Sequence, residues 1–213
     1  MAGKSQVCKI ARLQSLFYRD CKMSNEGLIN IHSVIPFSKI NGPGNRMVIF
    51  FQGCNKRCPG CFNPNTHHFE TVNLYSPEAI FKKHPVNGID GITVSGGEPF
   101  LQHDGLLKLL KAAKEMYGLS TIVYTGLTYN ELEERPDYLS CLSFIDALVD
   151  GRYEESKKEK TLLARGSTNQ RFYFFSSRYT EADFYMAGKF EFIIGKNGIV
   201  TKTGFSNIGI RIN

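Results

Sequence analysis

Phe51-Gln-Gly-Cys54-Asn-Lys-Arg-Cys58-Pro-Gly-Cys61-Phe-Asn-Pro64 follows directly on the apolar run Arg46-Met-Val-Ile-Phe-Phe51. Half of the chain's 6 cysteines stand in this one loop, which marks it as a ligand set rather than a scatter of core thiols. Gly53, Pro59 and Gly60 let the backbone wrap tightly, so thiolates at C-x3-C-x2-C spacing can converge on one iron-sulfur cubane. Three ligands on four irons leave one iron open to bind and reduce another molecule. Zinc is the competing reading, with His67 or His68 completing a four-ligand site.

Working outward, Arg46–Phe51 has the length and continuous apolarity of a parallel strand covered on both faces, so the loop hangs from a strand's C-terminal end. Leu28 to Pro36 reads as an edge strand stopped by Pro36, and Asn41-Gly-Pro-Gly-Asn45 as a tight turn. Ser76-Pro-Glu starts a helix. Ile92-Thr-Val-Ser95 is a strand running into Gly96-Gly97-Glu98-Pro99. An amphipathic helix over Asp104 to Met116 stops at Gly118, Ser120 to Thr125 is the next strand, and Thr128 with Glu131 forms a capping box. Phe144 to Val149 is a further strand.

Strands alternating with helices over short connections predict an α/β fold with a parallel sheet. The span from the first strand to Phe175 is too short for an eight-unit barrel, so the expectation is an open, partial (β/α)6-type barrel over residues 29–175. Residues 1–28 read as a basic N-terminal extension with helical spacing, and residues 176–213 as a C-terminal segment. That segment carries a β-hairpin from Lys189 to Thr203, turning at Lys196-Asn197-Gly198.

The two central motifs, in this order, resemble the radical S-adenosylmethionine (SAM) superfamily. The resemblance implies that Cys54, Cys58 and Cys61 hold a [4Fe-4S] cluster, that SAM chelates the open iron, and that Gly96, Gly97, Glu98 and Pro99 line the SAM site. It implies no catalytic side chain beyond these. A β-branched residue at Gly97 is expected to spare the cluster and weaken SAM binding.

Within the superfamily, many members carry an aromatic residue just before the third cysteine, where this chain has Gly60. Cys-Pro-Gly-Cys-Phe-Asn-Pro, Asn41 to Arg46, Val123-Tyr-Thr-Gly126, Leu148 to Arg152 and Arg165 to Arg171 are similar to the activating enzymes of anaerobic ribonucleotide reductase. That resemblance implies reductive cleavage of SAM to a 5′-deoxyadenosyl radical. A large glycyl-radical subunit would be the partner, and flavodoxin or ferredoxin the low-potential electron donor. A radical SAM enzyme acting on a peptide, nucleotide or small molecule is the alternative within the chemistry, and a non-catalytic zinc-binding module the alternative outside it.

Net charge is +6. The basic residues are scattered as on solvated helix faces, which argues against nucleic acid as the partner. Glu154 to Lys160 reads as a charged surface stretch, Cys8, Cys21 and Cys141 as plain thiols. No apolar run approaches a membrane span and no secretion signal opens the chain, so a cytoplasmic location is expected, in keeping with thiols that need a reducing compartment.

Overall fold

The computed structural model describes residues 27–161, 163–186, 191–194 and 200–203. The chain runs β1 (Ile29–Ser38), β2 (Arg46–Phe51), β3 (Leu74–Tyr75), α1 (Pro77–Lys83), β4 (Gly91–Gly96), α2 (His103–Glu115), β5 (Ser120–Tyr124), α3 (Tyr129–Glu133), α4 (Pro136–Leu142), β6 (Ala147–Asp150) and β7 (Arg171–Phe174). These seven strands form one sheet in the order β3-β1-β2-β4-β5-β6-β7.

The pairings among β2, β4, β5 and β6 are parallel, whereas β1, β3 and β7 pair antiparallel. The sheet does not close. The α/β class and the open sheet are as expected, whereas the (β/α)6-type arrangement of parallel strands is corrected to a mixed sheet with a parallel centre. The correction has a local cause: the connections flanking the centre are a tight turn before β2 and an irregular loop after β6, neither of which supplies a crossover helix.

Alternation along each strand sorts the side chains onto two faces. Met47, Ile49 and Phe51 of β2, Ile92 and Val94 of β4, Val123 and Leu148 share a core with Leu106, Leu109 and Leu110 of α2, Ile80 of α1 and Tyr138 of α4. Ile122 and Ala147 face the other way and are covered by Leu163, Ala164, Phe184 and Met186, so the inner face is plugged by irregular chain. Because β2 is buried on both faces, its apolarity is unbroken, as the sequence suggests.

Two helix starts follow the expected chemistry. Ala79 N–H donates to Ser76 Oγ (3.2 Å) at α1, and Thr128 and Glu131 cap each other at α3. Pro36 does not end β1: the strand continues to Ser38 through a register shift between Ile35 and Ser38, which takes up the missing donor. Strands β8 (Glu191–Ile194) and β9 (Val200–Thr203) pair antiparallel as the expected hairpin, whose turn lies outside the described residues, as do residues 1–26 of the N-terminal extension. Ser38 Oγ and Lys39 N–H donate to the Glu191 carboxylate (2.8 and 2.7 Å), tying β8 to the end of β1.

At the N-terminal end of the parallel strands Arg46 is fully buried. Its guanidinium donates to Thr93 Oγ1 (2.7 Å), Ser120 Oγ (3.0 Å), Tyr179 Oη (3.1 Å) and the carbonyls of Ile92, Ser120 and Pro43. Burial lowers its pKa from the usual arginine value, against the favourable contact with Tyr179. The turn before β2 thus ends on a hydrogen-bonded base, and the opposite end of β2 is left to carry the cysteine loop.

Candidate functional site

The cysteine loop is strung between two backbone seams. On one side Gly97 N–H donates to the Phe51 carbonyl (2.8 Å) and Glu98 N–H to the Gly53 carbonyl (2.9 Å); on the other, Gly53 N–H reaches the Thr66 carbonyl (2.8 Å) and Cys54 N–H that of His67 (3.3 Å). Gln52 anchors the turn from below, its side-chain amide donating to the His68 carbonyl (2.7 Å) while Gln102 donates to the Gln52 carbonyl (2.9 Å). Main-chain bonds on both sides, with the Gln52 side chain, therefore fix the loop's shape.

Cys54 is buried; Cys58 and Cys61 are half-buried. The backbone N–H groups of Lys56 and Arg57 favour the Cys54 thiolate, and Asn63 N–H donates to Cys61 Sγ (3.4 Å). Burial pushes both the Cys54 and the Cys61 thiol up, and the nearby Cys58 adds to each, so all three sulfurs lie within electrostatic reach. Deprotonated sulfurs in this setting need a positive centre, which a metal cluster supplies.

Among the described residues, no three His, Cys, Asp or Glu side chains are placed to hold a single metal ion. Ligands to a cubane sit on separate irons and stand further apart than ligands to one ion, so a cluster does not call for that close spacing. His67 lines the same cavity, whereas His68 is exposed.

The Gly-Gly turn faces this loop. Gly96 has φ +101°, and a Cβ there would stand 2.5 Å from the Phe51 nitrogen. A Cβ on Gly97 would stand 2.2 Å from the Gly53 carbonyl oxygen. The close approach that requires Gly97 is therefore to the cysteine loop's own backbone, so a β-branched residue here would press on the segment that carries Cys54.

Glu98 is 1% exposed, and its carboxylate is fully engaged. It accepts from Thr125 Oγ1 (2.7 Å) and Phe100 N–H (3.2 Å) on one oxygen and Gly126 N–H (2.8 Å) on the other. Burial raises its pKa, and these donors oppose the shift. One side chain thus locks the end of β4 to the end of β5.

A cavity of about 280 Å³ opens at this end of the sheet, lined by Cys54, Cys58, Cys61, Gly96, Gly97 and Glu98, and by Asn41 and Thr93. Pro99 is not among the lining residues; it begins the 3-10 turn Pro99–Gln102 behind them. The lining residues that sequence reasoning did not single out as site residues include Lys56, Thr125, Tyr153 and Gln170.

Lys56 pairs with Glu131 (3.8 Å). Tyr153 packs its ring against Phe62, centroids 5.1 Å apart. Its hydroxyl pKa is raised by burial and by Glu155 and Cys61 nearby. Gln170 donates to the Gly151 carbonyl (2.8 Å) and accepts from Gly166 and Ser167 N–H groups (2.8 and 3.1 Å). The available signal for Thr125 and Gln170 lay in the strings Val123 to Gly126 and Arg165 to Arg171; Lys56 and Tyr153 are separated from their partners by too much chain to pair by eye.

The stretch expected to be a solvated charge run is in part built into this wall. Glu159 is buried, accepting from Lys160 and Thr161 N–H groups, Thr161 Oγ1 and Arg165 Nε. Burial pushes its carboxyl up, but the bonds from Thr161 and Arg165 outweigh that and hold it at about 2.

Residues 40–173 match a family model described as a 4Fe-4S single cluster domain. The anaerobic ribonucleoside-triphosphate reductase-activating protein of Escherichia coli K12 is 30% identical over 152 residues, covering 67% of this chain and 96% of that protein. Its counterpart in Enterobacteria phage T4 is 30% identical over 149 residues, 67% of this chain and 92% of the phage protein. A putative glycyl-radical enzyme activating enzyme of Haemophilus influenzae is 40% identical over 94 residues, 42% of this chain and 36% of that one. The chain belongs to the 4Fe-4S single cluster domain family, in the branch that holds the anaerobic ribonucleoside-triphosphate reductase-activating proteins.

Proposed function

We propose that this chain is a radical SAM enzyme that installs a glycyl radical on an anaerobic ribonucleotide reductase. The observation that carries the reading is the single cavity onto which three cysteines and the Gly96-Gly97-Glu98 strand end converge. With a [4Fe-4S] cluster bound, one electron and SAM would yield methionine and 5′-deoxyadenosine, the added hydrogen coming from a glycine Cα of the partner.

Cys54, Cys58 and Cys61 hold the cluster in this proposal. The N–H groups of Lys56, Arg57 and Asn63 offset charge on the sulfurs they face. Gly96 and Gly97 bring β4 close to the loop without side chains in the way. Glu98 fixes the cavity's floor to β5, with Pro99 starting the 3-10 turn behind it. The open sheet leaves room for a glycine-bearing loop of the large subunit, and the relatives' names supply the candidate for that partner. A flavodoxin or ferredoxin in a reducing cytoplasm would deliver the electron. Among the described residues no helix is long and apolar enough to cross a membrane.

The test is an anaerobic mixture of the iron-loaded chain, SAM, a reductant and an anaerobic ribonucleotide reductase from the same organism. A glycyl-radical doublet by electron paramagnetic resonance, lost when the reductase glycine becomes alanine, is the expected result. SAM cleavage that leaves every candidate reductase silent would hand the site to a peptide, nucleotide or small-molecule substrate.

A further inference from the structure

Gly60 separates the second and third cysteines by a turn in which Cys61 N–H donates to the Cys58 carbonyl (3.2 Å), and it has φ +67°. The space its side chain would fill is taken. A Cβ built on Gly60 would stand 2.6 Å from Glu155 Cδ and 2.7 and 2.9 Å from the two carboxylate oxygens.

The carboxylate is carried there by its backbone. Glu155 opens the 3-10 turn Glu155–Lys157, and that turn is held by Glu154 N–H donating to Ser167 Oγ (3.1 Å) and Thr168 N–H donating to the Lys157 carbonyl (2.8 Å). Neighbouring Glu154 is matched by Lys157 (2.8 Å). The wall that carries Tyr153 and Gln170 on the cavity therefore also presses one acidic group onto the ligand loop.

We infer that Glu155 is a redox-tuning residue, its carboxylate lowering the reduction potential of the cluster held by Cys54, Cys58 and Cys61. The inference rests on the cluster assignment proposed above. Adding one electron to an oxidised [4Fe-4S]²⁺ centre places negative charge beside an existing negative charge, which disfavours the reduced form. Glu155 is exposed, so water screens the interaction and the effect is modest. The reduced cluster becomes a stronger donor, at the cost of a more demanding reductant.

The experiment is a mediated dithionite titration of the anaerobically reconstituted full chain, followed by electron paramagnetic resonance. Glu155→Gln should raise the reduced-to-oxidised ratio at a fixed potential by about threefold, a positive shift of about 28 mV at ~59 mV per tenfold for one electron. Glu155→Lys should shift it further in the same direction, and Glu154→Gln should move it much less. Iron content should equal that of the unaltered chain. Equal potentials for the unaltered chain and Glu155→Gln would overturn the inference and leave the cluster assignment standing. Loss of iron in both Glu155 variants would also overturn it, making the residue a structural prop. Absence of a four-iron centre in the unaltered chain would instead bring down the proposed function itself.

Discussion

Gly97→Ala is the sharpest perturbation the site offers, because one methyl group is aimed at backbone. Its Cβ would stand 2.2 Å from the Gly53 oxygen, 2.8 Å from the Gly53 carbonyl carbon and 3.1 Å from its nitrogen. No rotamer change relieves such a contact, so β4 and the cysteine loop must part. Parting them stretches the bond from Glu98 N–H to Gly53 (2.9 Å). Overpacking costs about 1–3 kcal/mol, and one weakened buried hydrogen bond adds about 1 kcal/mol, for a total of roughly 3 kcal/mol. For a chain of this size that lowers Tm by about 6–12 °C.

The more telling readout is iron. Because the displaced residue adjoins Cys54, anaerobic reconstitution of Gly97→Ala should give less than half the iron of the unaltered chain, with SAM cleavage falling in proportion. Gly88→Ala is the control: φ is +79° there too, but nothing lies within 4 Å of the added carbon, so strain without collision should leave iron uptake intact. Full iron loading of Gly97→Ala together with a selective loss of SAM affinity would refute the reasoning and restore a direct role at the cofactor.

Alanine at Cys54, Cys58 or Cys61 should abolish iron-sulfur absorbance and 5′-deoxyadenosine formation, whereas Cys141→Ala should keep both, since Cys141 lies in the helix-side core; a four-iron cluster in Cys58→Ala would contradict the assignment. Glu159 ionises at about 2 in the fold against 4.5 as its ordinary value, so its contribution of up to about 3 kcal/mol is complete above pH 4.5 and disappears as pH falls toward 2. Glu159→Gln should therefore lower Tm at pH 7 and flatten its decline between pH 4.5 and 3; an unchanged slope by circular dichroism would sink the claim. Arg46→Lys loses the planar fork that serves Thr93, Ser120 and Tyr179 and should cost about 3 kcal/mol. Since Arg46 sits at the other end of β2, iron content at low temperature should stay normal, and iron loss matching that of Gly97→Ala would show that the two ends are not separable.

What could be read from the sequence was local chemistry. The strand Arg46–Phe51, the capping box at Thr128 and Glu131, and the glycine-rich cysteine loop each announce themselves within a few residues, because strand burial, capping and turn formation are decided over that distance. The inner plug was not legible. Leu163, Ala164, Phe184 and Met186 cover Ile122 and Ala147 from irregular chain, with no period to betray which face they serve. Antiparallel β7 was missed for a related reason: Arg171–Phe174 alternates weakly, and only pairing with Ala147–Asp150 makes it a strand. Gly97 shows a third limit. Sequence can say that a glycine permits close approach, but the approaching atom, here the Gly53 carbonyl, is set by tertiary structure.

The three loop cysteines differ in depth, and that difference gives the site an inside and an outside. Cys58 and Cys61 stand on the rim, Cys54 is 7% exposed, and Cys141 is sealed, its thiol pushed up by burial to about 12. Among the four described cysteines, brief alkylation of cluster-free chain should therefore mark Cys58 and Cys61 first, Cys54 later and Cys141 last, a sequence readable by peptide mass spectrometry. Oxygen should erode the loop in the same order. Damage that begins at the rim leaves Cys54 reduced, held in place by main-chain bonds on both sides, and so preserves one fixed corner from which the site can be rebuilt.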